Sequence, residues 1–190
     1  MPEVVTEWQR FEELSADRLY ELLRFRQGIF VVEQGSPYGD LDGLDQDAWH
    51  LLLRVKGELA GYLRLMPAAR QVRIGRVAVA APLRGRGFGH RLIDKALLFS
   101  RENCPDLPVV LTAQAHLVAL YRSFGFEPTG EPFDDFGVSH VEMTMQRNVR
   151  RAVRIVGTVE AYGASRQILE GVLDRSAGRQ EVPDIASHDG

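Results

Sequence analysis

A chain of 190 residues, 45% hydrophobic and 26% charged, can bury one ordinary core and is too short to favour two independent ones. A net charge of −3 gives no general reason to expect nucleic acid or an anionic membrane as partner, so any electropositive site must be local. The single cysteine, Cys104, excludes an intramolecular disulfide framework and most cysteine-rich metal sites, and it suits a reducing compartment.

Residues Met1–Arg10 carry Glu3, Glu7 and Arg10 and form no apolar signal segment; no window approaches the roughly 20 apolar residues of a membrane span, so a cytoplasmic protein is expected. Glu7–Leu14 reads as a first strand. Ser15 is a good N-cap, and Leu19, Leu22, Leu23, Arg26 and Phe30 recur at helical spacing, which predicts an amphipathic helix over Ala16–Phe30. Glu33–Asp47, broken by glycines and Pro37 and rich in aspartate, reads as a long acidic loop. Two β-leaning runs, Trp49–Val55 and Leu59–Met66, are joined by Lys56-Gly57-Glu58 as a hairpin turn, and Val72–Ala80 continues the sheet.

Pro82 and the glycines at 85, 87 and 89 end that strand, and helical spacing resumes over His90–Glu102. Val109–Thr112 is a short apolar strand, His116–Phe124 reads as a helix stopped by Gly125, and Val141–Gln146 is a last strand. Beyond this, Arg147, Arg150, Arg151 and Arg154 form a basic stretch, Ala164–Leu173 reads as one helix, and Ser176–Gly190 is polar and expected to be disordered. The expected organisation is a domain over 1–147, an extension over 148–175 and a tail over 176–190.

The strand–glycine–helix stretch carries the chemistry. Such a junction leaves backbone N–H groups unpaired at the positive end of a helix dipole, where a phosphate or pyrophosphate can bind. Glycine at 85, 87 and 89 lets the main chain approach the ligand, and Arg84 and Arg86 add charge beside the amides. The dinucleotide fingerprint fails because His90 stands where a glycine is needed, and the P-loop fails for want of Gly-Lys-Ser/Thr.

Arg84-x-x-Gly87-x-Gly89, following Val77-Ala78-Val79, resembles the acetyl-CoA motif of GNAT N-acetyltransferases, Gln/Arg-x-x-Gly-x-Gly/Ala. Leu120-Tyr121-Arg122-Ser123-Phe124-Gly125-Phe126 resembles the later segment of that family in which a tyrosine lies near the coenzyme A sulfur. Phe30-Val31-Val32-Glu33-Gln34, with Tyr38, Asp42-Gly43, Asp45, His50 and His140-Val141-Glu142-Met143, looks like its ElaA-like subgroup; the resemblance covers roughly Phe11–Arg147.

The resemblance implies an α/β fold with a central mixed sheet, splayed in the middle and flanked by helices on both faces. It implies that the backbone of Val77, Ala78 and Val79 pairs with the pantetheine arm, while the amides from Arg84 through Gly85, Arg86, Gly87, Phe88 and Gly89 to His90 hold the pyrophosphate. Acetyl-CoA is then the co-substrate and an amine, small or on a protein, the acceptor, with no metal, nucleic acid or membrane partner and a monomer or homodimer as the form.

Acetyl transfer from a thioester to an amine needs a base, an oxyanion donor and a proton for the departing thiolate, but no protein nucleophile. Tyr121 is the expected proton donor, since a phenol is protonated at neutral pH. The base is sought among Glu33, Asp40, Asp42, Asp45, His50, His116 and His140, with Glu33 and His140 preferred, and the oxyanion donor among the amides of Val77–Val79. Asp40-x-Asp42-Gly43-x-Asp45 lacks the alternation and final glutamate of a calcium loop, and Cys104 is expected to be inert packing. Two other readings remain open from sequence, an acyl-CoA-binding regulatory module without turnover and a nucleotide-binding protein.

Overall fold

The computed structural model describes residues 3–135 and 137–147. One sheet in the order β1-β2-β3-β4-β5-β8-β6, with β7 also paired to β8, organises them. The strands are β1 (Val4–Arg10), β2 (Trp49–Val55), β3 (Glu58–Pro67), β4 (Val72–Val79), β5 (Val109–Gln114), β6 (Glu127–Pro128), β7 (Phe133–Asp135) and β8 (Val138–Met145). Pairing is antiparallel throughout except between β4 and β5, which run parallel. The mixed α/β sheet expected from the sequence is therefore present.

The run Leu51-Leu52-Leu53 is wholly buried, which marks a strand covered on both faces. Because side chains alternate, Leu51 and Leu53 join the core under helix α2 (Phe88–Asn103), with Leu92, Ile93 and Ala96. Leu52 and Tyr62 face the other way and pack with Leu14 and Leu22 near helix α1 (Ala16–Gln27). Helix α3 (Val118–Ser123) lies on the α2 side, its Tyr121 in the larger core. Burying each leucine or isoleucine of these faces contributes about 2 kcal/mol. On β3, a Cβ at Gly61 would stand 3.2 Å from Leu92 Cδ1, so glycine sets how closely α2 approaches the sheet.

Several boundaries differ from the sequence reading for identifiable reasons. β1 begins at Val4 and ends at Arg10, because Phe11–Glu13 closes into a 3-10 turn in which Glu13 Oε2 accepts the Arg10 N–H at 2.7 Å. α1 ends at Gln27 and continues as a π turn over Gly28–Glu33, with Gln34 N–H donating to the Ile29 carbonyl five residues back. The β2–β3 hairpin uses two residues rather than three, Lys56 and Gly57, both at positive φ (52° and 84°), the pattern that matches strand twist. α2 starts two residues earlier than expected, at Phe88. The short strands β6 and β7 carry no alternation long enough to be read in advance. The extension, its expected helix and the tail, with Arg150, Arg151 and Arg154, lie outside the described residues.

Candidate active site

β4 and β5 pair only through Val72–Val109, Arg73–Val110 and Ile74–Leu111, then part. The rest of β4, Gly75 to Val79, thus has an unpaired edge toward β5. A bulge reinforces the divergence: Arg76 and Val77 together oppose Leu63, between the pairs Arg64–Gly75 and Tyr62–Ala78. Arg76 sits there at φ 53°, a left-handed conformation costing roughly 1–2 kcal/mol for a non-glycine residue. Its side chain is tied down, Nε donating to Asp40 Oδ1 at 2.6 Å and an Nη to Asp42 Oδ2 at 3.1 Å.

A cleft of about 750 Å³ occupies the opening. β4 contributes Gly75, Arg76 and Val77 to it, β5 contributes Thr112 and Gln114, and Tyr121 lies in its wall. Tyr121 is 5% exposed, edge-on to Phe126 with ring centres 6.0 Å apart, and its hydroxyl has no protein partner among the described residues. Burial pushes its pKa up to about 12, so it keeps its proton.

His140 also borders the cleft. Its Nδ1 lies 2.8 Å from the Val138 carbonyl, which can only accept, so Nδ1 is the donor, and in the neutral ring Nε2 is the nitrogen that holds the lone pair. It stands opposite Gln114 of β5 on one side and Phe133 of β7 on the other.

Glu33, the other residue expected to act as base, does not line the cleft. Both of its carboxylate oxygens are held by Arg84, at 2.5 and 2.9 Å, and that hydrogen bonding lowers its pKa. A carboxylate so held is a poor proton acceptor, so the structure places Glu33 with the glycine loop instead. Arg84 also donates from Nε to the Val79 carbonyl at 2.9 Å, pinning the loop to the end of β4.

The acidic loop is likewise not a pool of free bases. Asp40 accepts from Arg26 at 2.7 Å and from Arg76; Asp45 accepts from Arg26 at 2.6 Å and Arg64 at 2.9 Å; Asp42 accepts twice from Arg64, at 2.8 and 2.6 Å. Burial works to raise the Asp42 pKa, but the arginine hydrogen bonds and charge outweigh it and hold the group at about 2. Asp45 is lowered for the same reasons. His50 is fully buried, Nδ1 2.7 Å from the Tyr62 hydroxyl and Nε2 3.0 Å from the Asp45 carbonyl, and desolvation lowers its pKa; it has no route to a substrate. Arg26, Arg64 and Arg76 are the functional-looking residues missed from sequence. The available signal was Arg26 on the apolar stripe of a helix and Arg64 inside Leu63-Arg64-Leu65, both followed or preceded by a run of aspartates.

At the far end of β4 the glycine loop follows a 3-10 turn over Ala81–Leu83. The Arg84 N–H is used, donating to the Ala81 carbonyl at 3.3 Å, so it drops out of the expected set of free amides. From Gly85 to His90 no backbone N–H finds a protein acceptor among the described residues. Gly85 and Gly87 take positive φ (73° and 81°), and Gly87 caps α2 without a side chain. Gly89 is helical, and a Cβ there would meet nothing within 4 Å, so the space over these amides is open. Val77 and Val79 are half-buried at the β4 edge, whereas the Ala78 side chain turns into the core at 4% exposure and leaves only its backbone available. Cys104 is buried and its thiol pKa raised by desolvation, consistent with inert packing.

Residues 30–147 match the family described as acetyltransferase (GNAT) domain. The chain is 42% identical over 147 residues to protein ElaA of Escherichia coli, spanning 74% of this chain and 96% of that protein. The crystal structure of Escherichia coli ElaA superposes with a TM-score of 0.73 at 40% identity, covering 76% of this chain and 100% of the other. That of an acyl-CoA N-acyltransferase from Pseudomonas aeruginosa gives 0.72 at 38%, covering 77% and 100%.

Proposed function

The chain belongs to the GNAT acetyltransferase family and is ElaA-like, and from that premise we propose that it moves an acetyl group from acetyl-CoA to a primary amine by direct attack. The observation that carries the reading is two stretches of open backbone on one segment. The first is the β4 edge that faces away from β3 beyond Ile74, Val77 to Val79, where Arg84 takes the Val79 carbonyl; the second is the six amides of Gly85 to His90, which have no protein acceptor among the described residues. An extended pantetheine arm can add to the first as a strand would, and a pyrophosphate can be held by the second. Arg86 supplies charge nearby.

The chemistry falls at the cleft. The amine nitrogen attacks the thioester carbonyl carbon, a C–N bond forms, and the departing N–H proton passes to Nε2 of His140, directly or through one water. A main-chain N–H of Val77–Val79 faces the oxyanion. Collapse breaks the C–S bond, and the sulfur takes a proton from Tyr121. A phenol near 12 is a weak acid, but the apolar wall that raises it also disfavours a thiolate. Exchange with solvent then restores both groups. Glu33 serves this scheme by holding Arg84 at the cofactor loop.

The domain that does this runs over residues 1–147 in our reading, and a cytoplasmic setting suits the lone thiol. No described helix is long and apolar enough to cross a membrane. Calorimetric titration with acetyl-CoA, coenzyme A, ATP and NAD, followed by thiol release over a panel of amines, tests the proposal. Heat with the coenzyme A compounds and thiol release dependent on amine are expected. Preference for ATP or NAD removes it, and binding without release under any amine favours a regulatory module instead.

A further inference from the structure

Within the transferase reading just given, and resting on it, we infer that the acceptor is a small primary amine carried on an aromatic or branched apolar body. Nine large hydrophobic side chains stand exposed among the described residues, and four of them border this one cleft: Tyr38 at 53%, Leu44 at 51%, Phe133 at 46% and Val138 at 41%. Large exposed apolar groups scattered singly need no account, but a cluster at the lip of a pocket marks a surface that a ligand covers. Tyr38 and Leu44 come from the acidic loop, Phe133 and Val138 from the β7–β8 hairpin, so apolar surface is supplied from both segments.

Charge excludes the obvious rival, a polycationic acceptor. Asp40, Asp42 and Asp45 are matched by Arg26, Arg64 and Arg76, three acids against three guanidinium groups, so these three carboxylates have no net charge left to offer. Asp135 is the lining carboxylate for which no arginine partner is found among the described residues. One unmatched carboxylate suits an amine with one positive charge. The cleft that the thioester end and the acceptor would share, about 750 Å³, is of small-molecule size.

The register links this surface to the chemistry. Phe133 pairs with His140 across β7 and β8, their rings 6.0 Å apart and inclined by only 26°. An apolar body seated on Phe133 has the imidazole as its immediate neighbour, so a short alkyl link brings its amine to the proton acceptor. A straight-chain amine lacks that anchor, and a polyamine leaves charges unpaired against the apolar rim.

Calorimetry on the full chain saturated with coenzyme A tests this with four probes: 2-phenylethylamine, ethylamine, spermidine and a short peptide with a free N-terminus. Dissociation constants for 2-phenylethylamine roughly tenfold or more below those of the other three are expected, as for a lost apolar anchor. In Phe133→Ala the advantage over ethylamine falls below about threefold, while coenzyme A affinity reports that the fold is intact. Equal affinities, or a preference for spermidine or the peptide, overturn the inference while leaving the transferase reading standing. Absence of coenzyme A binding overturns that reading itself, and this inference with it.

Discussion

The acidic loop and the glycine loop both place charged groups beside the cleft region, yet they are built on opposite principles. In the first, every aspartate from 40 to 45 is spent on a buried or half-buried arginine, and the side chains fix a wall. In the second, Arg84, Arg86 and His90 are exposed and the useful groups are six backbone N–H donors with no protein acceptor among the described residues. Polar groups that are mutually satisfied hold a shape, whereas polar groups left open at a surface bind something.

The largest effect expected from this contrast lies in the wall. Arg26 is fully buried and shared by Asp40 and Asp45, so Arg26→Ala takes one of two arginine partners from each of two buried carboxylates, leaving Asp40 with Arg76 and Asp45 with Arg64. Breaking a buried pair this way costs about 3–5 kcal/mol, to be read by urea unfolding. Coenzyme A affinity should stay within about threefold if the variant is still folded, because the glycine loop depends on none of these side chains. A loss of stability below about 1 kcal/mol would mean that the wall is not held by its ion pairs.

The asymmetry also explains what could be read in advance. The glycine loop was readable because its function lives in local backbone: three glycines at fixed spacing, a strand before and a helix after. The β4–β5 opening was reached only through resemblance, since nothing in Val72–Ala80 says where pairing stops or that Arg76 bulges at φ 53°. The wall was unreadable for a different reason. Asp40, Asp42 and Asp45 look free in sequence, and only tertiary contacts 14 to 36 residues away reveal that they are committed. The pairing of Glu33 is hidden in the same way, because its partner Arg84 lies 51 residues on. His140 and Tyr121 did come to one cleft, from segments that no periodicity connects.

A second, catalytic test concerns the Tyr121 hydroxyl, buried in the cleft wall without a protein partner among the described residues. Tyr121→Phe keeps the ring against Phe126 and removes only the proton, so turnover should fall about a hundredfold with cofactor affinity nearly unchanged. Its pH dependence has a definite sign. With the pKa raised by burial to about 12, the protonated form persists through the ordinary tyrosine value and is lost only as pH nears 12. The wild-type rate should therefore show no alkaline fall below about pH 10 from this group. An unaltered rate for Tyr121→Phe, measured where chemistry limits turnover, would reject the proton-donor role.

The smallest effect is the most discriminating between the two regions, because Glu33 is a carboxylate that behaves like the wall while sitting at the loop. Removing its charge in Glu33→Gln frees the Arg84 guanidinium and deletes a negative group beside the site proposed for a pyrophosphate. Coenzyme A should then bind about two- to fivefold more tightly at low ionic strength, with the gain shrinking as salt screens it. Turnover at saturating acetyl-CoA and its pH profile should stay as in the wild type, since the proton acceptor of the scheme is His140. Loss of a true general base would instead lower turnover by roughly a hundredfold or more and remove the acidic limb of the profile. That second outcome would return Glu33 to the chemistry and show that its pairing with Arg84 opens when both substrates are bound.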